Sequence, residues 1–98
     1  MSEEYFIKEK SPIAFIAKKL LGVRTVAIVL RKTIYLNGVN KETFLANQQW
    51  LKHELCHIKQ FQQYGFFRFL FLYIVETFRK GYYYNRFEVE ARKAERIT

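Results

Sequence analysis

Ninety-eight residues, 50% apolar and 18% aromatic, suffice for a single domain with one core and exclude an unstructured chain. The net charge of +8 favours acidic partners, but the 17 Lys and Arg are scattered and form no long basic run or nucleic-acid motif. The lone cysteine, Cys56, excludes an internal disulfide framework, and the acidic start Met1-Ser2-Glu3-Glu4 leads into no signal-peptide pattern, which predicts a cytoplasmic setting.

Ser11-Pro12 is an N-cap followed by proline at the first helical position, and it opens a helix over Ile13 to Leu21 that Gly22 can close. From Val23 to Leu30 and again from Thr33 to Leu36 the chain is β-branched. With Arg31-Lys32 between the two runs and the turn signal Asn37-Gly38 after them, they predict an antiparallel hairpin. Asn40 can cap a long helix from Lys41 to Tyr64, ended by Gly65. A second helix is expected from Phe66 to Lys80, ended by Gly81, and a third from Arg86 to Ile97, opened by Asn85. The predicted class is α+β, residues 1–98 forming one domain: an N-terminal helix, a β-hairpin and three further helices. The apolar run Phe66 to Val75 is too short to span a bilayer and carries Arg68, so a central core helix is expected, with a helix lying in a membrane interface as the alternative.

The two histidines of the chain stand four residues apart in His53-Glu54-Leu55-Cys56-His57. On a helix this spacing stacks both imidazoles on one face, where a metal such as zinc can bridge them and the glutamate can handle the proton of a bound water. Advancing about 100° per residue places Ala46, Gln49, His53, His57, Gln60 and Tyr64 on one polar stripe. Trp50, Leu51, Leu55, Ile58 and Phe61 form the neighbouring apolar face, and Glu54 falls within it. A carboxylate there is costly without a partner, and a metal-bound water would be one.

Two histidines leave a zinc site short of a third protein ligand. The chain has no aspartate, and Cys56 projects about 100° away from the pair, so the third ligand must be a glutamate. Downstream lie Glu76, Glu88, Glu90 and Glu95. Glu88 and Glu90 flank the apolar side of the last helix, and the wheel does not choose between them. Asn85-x-x-Glu88 also fits a capping box, which would give Glu88 a purely structural task.

His53-Glu54-x-x-His57 followed by Glu88-Val89-Glu90-Ala91 resembles the gluzincin class of zinc metallopeptidases. Within it, the branch of the prenyl-protein proteases, the heat-shock membrane peptidases and the minimal-scaffold minigluzincins is the most similar. Small bacterial domains with H-E-x-x-H-x-x-Q and a later F-E-x-E-A are closer still, matched here by His53 to Gln60 and by Phe87 to Ala91. The resemblance covers roughly residues 44–98 and implies a minimal zincin-like domain in which Glu88 is the third ligand of Zn2+. The family's aspartate four residues after that glutamate steadies a histidine ligand; here Arg92 stands in its place and cannot accept a hydrogen bond.

The sequence therefore predicts a small zinc metallopeptidase. His53, His57 and Glu88 would hold the metal, Glu54 would act as the catalytic base, and a peptide or protein would be the substrate. Tyr82, Tyr83 and Tyr84 are the candidates for an oxyanion donor. The rival reading is a basic interaction module for nucleic acid, a membrane surface or another acidic surface partner, with a structural or vestigial metal site. A third is a peptidase kept latent by its own terminal segments.

Overall fold

Ser11 caps the first helix as its position dictates: its hydroxyl oxygen accepts the Ala14 N–H at 3.3 Å, and Gly22 closes the helix in the left-handed region at φ 68°. The computed structural model describes residues 4–97; Met1, Ser2 and Glu3 of the acidic start lie outside the described residues. In chain order the elements are β1 (Phe6–Lys8), α1 (Pro12–Leu21), β2 (Val26–Leu30), β3 (Thr33–Asn37), α2 (Lys41–Ala46), α3 (Gln48–Tyr64), α4 (Phe66–Tyr84) and α5 (Arg86–Ala94). The class is α+β, as expected.

The hairpin forms around Arg31-Lys32, with Arg31 at φ 58°, and its register sets Val29 opposite Ile34 and Ala27 opposite Leu36. Gly38 follows at φ 81°, and a Cβ there would lie 2.0 Å from the Arg24 carbonyl oxygen, so only glycine fits. The sheet has a third strand that the sequence reading lacks. Phe6–Lys8 pairs in parallel with β3, giving the order β1-β3-β2. Three residues, one of them a lysine, carry too little alternation to announce a strand. β2 is therefore an edge strand, with no strand on its other side among the described residues.

The single helix expected over Lys41 to Tyr64 is two. Asn47 leaves helical geometry at φ −93°, ψ 92°, and its side chain accepts the Trp50 N–H at 3.0 Å, capping α3. Asparagine competes with the helical backbone in this way, and so favours caps over helix interiors. Ala46 thus does not belong to the stripe that carries the histidines. The last helix is also shorter than expected, ending at Ala94.

Val29, Ile34, Leu36, Phe44, Ile58, Phe61, Phe69 and Phe87 make one buried cluster. Phe69 of α4 meets Phe61 of α3 edge-on at 4.6 Å and Phe87 of α5 at 5.0 Å. These aromatic contacts fix α5 against α3, which is what brings the glutamate helix to the histidine helix. The expectation of a central core helix holds for α4 on one side only: Phe69 and Glu76 are buried, while Phe67, Phe71, Ile74 and Phe78 face outward. Among the described residues no helix is long and apolar enough to cross a membrane.

Candidate metal centre

Asn47 starts α3 so that His53 and His57 lie mid-helix, their ring centroids 5.0 Å apart. Asn85 starts α5, its side-chain oxygen accepting the Phe87 N–H at 2.8 Å. The capping box is not made, because Glu88 turns towards the histidines. Its Oε1 lies 3.0 Å from His53 Nε2 and its Oε2 3.2 Å from His57 Nε2, with the Tyr73 hydroxyl donating to Oε2. The three side chains are largely buried, and their ligand atoms all lie within 4.8 Å of one another. His53, His57 and Glu88 could therefore hold a metal ion.

The far sides of both rings are tied down. Gln60 Nε2 donates to the Phe87 carbonyl at 3.1 Å and to Glu90 Oε1 at 2.6 Å, which turns its Oε1 to His57 Nδ1 at 2.8 Å. That nitrogen must carry the proton. His53 Nδ1 meets Glu95 Oε2 at 2.7 Å and donates to it likewise. Each neutral imidazole then points a bare Nε2 lone pair at a carboxylate oxygen. Only a proton or a cation between them relieves that opposition.

The four glutamates separate into four tasks. Glu88 faces the histidine pair, Glu90 holds Gln60, Glu95 holds His53, and Glu76 accepts the Arg86 N–H at 3.1 Å at the start of α5. Arg92 does not leave a histidine unsupported. It stacks on the Tyr83 ring at 4.1 Å, while Glu95 and Gln60 take the supporting positions. Glu95 lies one turn beyond Arg92, where a motif anchored on Glu88 does not look. Replacing Glu95 with alanine is expected to weaken metal affinity about 10- to 100-fold, read by competition with a chromophoric chelator.

Glu54 is buried where the wheel placed it, but it has a partner that sequence reasoning missed. The Trp50 indole, one turn earlier, donates to Glu54 Oε2 at 3.1 Å. Tyr73 was missed as well; as one more aromatic in an aromatic helix it gives no signal. Of the three consecutive tyrosines, Tyr82 borders the cavity at the site, and no contact to the site is made by exposed Tyr83 and Tyr84. Cys56 reaches Gln60 Nε2 at 3.7 Å and lies outside the three-residue group.

A cavity of about 240 Å³ opens over these groups. His53, Glu54, His57 and Glu88 lie on one side, β2 from Val26 to Leu30 on another, and Leu70, Tyr73 and Tyr82 close it.

Charge is concentrated here. Burial pushes the Glu54 carboxyl up to about 7, against the opposing pull of His57 and His53. For His53 burial works downward, but the Glu88 hydrogen bond, the Glu54 charge and the Glu95 contact outweigh it and raise the ring to about 9. His57 is raised in the same way, chiefly by Glu88 acting against burial. Burial alone would raise Glu88, yet the hydrogen bonds from His53, His57 and Tyr73 hold it well below the usual carboxylate range. Burial and the Glu88 charge keep the Tyr73 phenol protonated far above its ordinary value.

These shifts fix how the metal-free protein responds to pH. The raised His53 contributes stability that is complete below 6.5 and lost as pH climbs through about 9. The raised Glu54 acts in the same direction, its contribution fading between 4.5 and about 7. Thermal melts in chelator should therefore show a falling Tm from about pH 5 to about pH 9. A bound divalent metal replaces the protons on Nε2, so the Tm gain it gives should grow over the same interval. A gain that shrinks as pH rises would contradict the proton–metal exchange.

Comparison with protein-family models, with curated proteins and with solved structures finds no match to this chain.

Proposed function

We propose that this chain is a zinc metallopeptidase of the gluzincin type. The observation that carries the reading is the meeting, on one cavity, of three side chains that could hold a metal ion, a buried carboxylate and the free edge of a strand. Two histidines and a glutamate on two packed helices match a catalytic zinc set with one position left open. The same donors also suit iron(II), but a base beside the ion favours hydrolysis over oxygen chemistry.

Zinc bound there would supply Lewis acidity to a carbonyl oxygen and to water. Glu54 accepts the water's proton and returns it to the leaving amine. Glu95 and Gln60 hold the rings so that both Nε2 atoms face the same point. Tyr73 holds Glu88, and Tyr82, on the cavity wall, is the donor available to a developing oxyanion. The β2 edge along the cavity offers unpaired backbone groups to an extended peptide, which supports a peptide as the substrate class.

The test is cleavage of a mixed peptide library by the zinc-loaded protein, read by mass spectrometry with and without chelator. Products that appear with zinc and vanish with chelator support the reading. Metal binding without products would favour a structural metal site in an interaction module.

A further inference from the structure

We propose that the outer face of α4 docks on a lipid bilayer surface that carries acidic headgroups. The proposal rests on the surface of this helix and is independent of the metal chemistry.

Taken at about 100° per residue, Phe67, Phe71, Ile74 and Phe78 fall within about 60° of arc. All four are exposed, Phe67 at 79% and Phe78 at 88%. The buried positions Phe69 and Glu76 lie on the opposite side of the helix. Three phenylalanines and an isoleucine in one outward row over three turns form a contiguous apolar ridge, which marks an interaction site rather than ordinary surface. Scattered single apolar residues would need no such account.

Charge selects the occupant. Arg68 and Arg79 are exposed and lie on one flank of the ridge, about 100° and 120° round from Phe67. The only acid of α4, Glu76, is buried on the far side and engaged with the Arg86 backbone and Lys80. An apolar row bordered by arginines, on a chain of net charge +8, is the pattern of a helix lying in the plane of an anionic membrane interface. A second copy of the chain is a poor match in charge, because the contact would bring together two chains that each carry a net charge of +8. A folded protein partner is also less well matched. Between Phe67 and Phe78 the row itself offers no side-chain donor or acceptor to fix register, whereas a fluid apolar phase requires none.

The full-length protein would be sedimented with large vesicles of phosphatidylcholine, with and without phosphatidylglycerol, at low and high salt. Expected is binding that needs phosphatidylglycerol and weakens with salt. Phe71→Ser with Phe78→Ser should lower the partition coefficient at least about tenfold while leaving the circular-dichroism spectrum and Tm unchanged, because both side chains are exposed. Arg68→Gln with Arg79→Gln should lower it by roughly fivefold per arginine and flatten the salt dependence. Absence of vesicle binding, equal binding to neutral vesicles, or binding that survives the double serine variant would each overturn the proposal. So would a dimer in sedimentation velocity that the serine variant dissolves, since the ridge would then be a contact between copies.

Discussion

A Glu88→Gln protein is expected to lose tight metal binding and to keep its fold. Glutamine has the shape of glutamate, so the burial and the α5 packing around Phe87 and Ala91 survive. It removes the charged ligand, however, and the loss should be roughly a thousandfold or more in affinity, one ligand's share of the binding free energy. That exceeds the expected loss for Glu95→Ala, and the order of the two separates a ligand from its support. The variant carries a second signature. A glutamine N–H can donate to one of the Nε2 lone pairs that Glu88 opposes in the neutral site. The metal-free variant should therefore lose less stability than the parent as pH rises towards about 9. Binding by chelator competition and melts across pH give both readouts.

Glu54→Gln should do the reverse: metal affinity within a few-fold of the parent, and hydrolysis reduced about 10²- to 10⁴-fold, the usual worth of a positioned acid–base group. The geometry supports a clean separation. The glutamine oxygen can still accept from the Trp50 indole, so the side chain stays in place and only the proton-accepting capacity disappears. The loss should fall on kcat rather than KM, because the group acts on the reacting proton. Equal turnover by Glu54→Gln would assign the carboxylate a structural task beside Trp50.

How far the sequence reaches can be followed residue by residue. Ser11, Asn40, Gly22 and the Arg31-Lys32 turn announce themselves, because caps and turns depend on local chemistry. The helical wheel placed Glu54 correctly in an apolar sector. It could not show that Trp50 folds its indole back onto the carboxylate, a matter of one rotamer. The short strand β1 escaped because its pairing with β3 is non-local and its three residues lack alternation. Asn47 reads as helix interior because helical periodicity continues past it, although its side chain caps a new helix. The third ligand was the hardest step. Spacing left four glutamates and the gluzincin resemblance implied Glu88; in the fold, the packing of Phe69 against Phe61 and Phe87 brings that residue to the histidines. Gln60 stands in the H-E-x-x-H-x-x-Q pattern and on the stripe of the histidines, but its contact with His57, and that of the distant Glu95 with His53, emerge only in the fold.

Calorimetric titration of the chelator-stripped protein with zinc is the test of a metal centre at His53, His57 and Glu88. Binding of about one equivalent per chain is predicted, with protons released because zinc displaces those held on the imidazole Nε2 atoms at neutral pH. The release is read by repeating the titration in buffers of different ionisation enthalpy. Absence of binding, or binding that His53→Ala leaves intact and that releases no protons, would rule out a metal centre on these three residues.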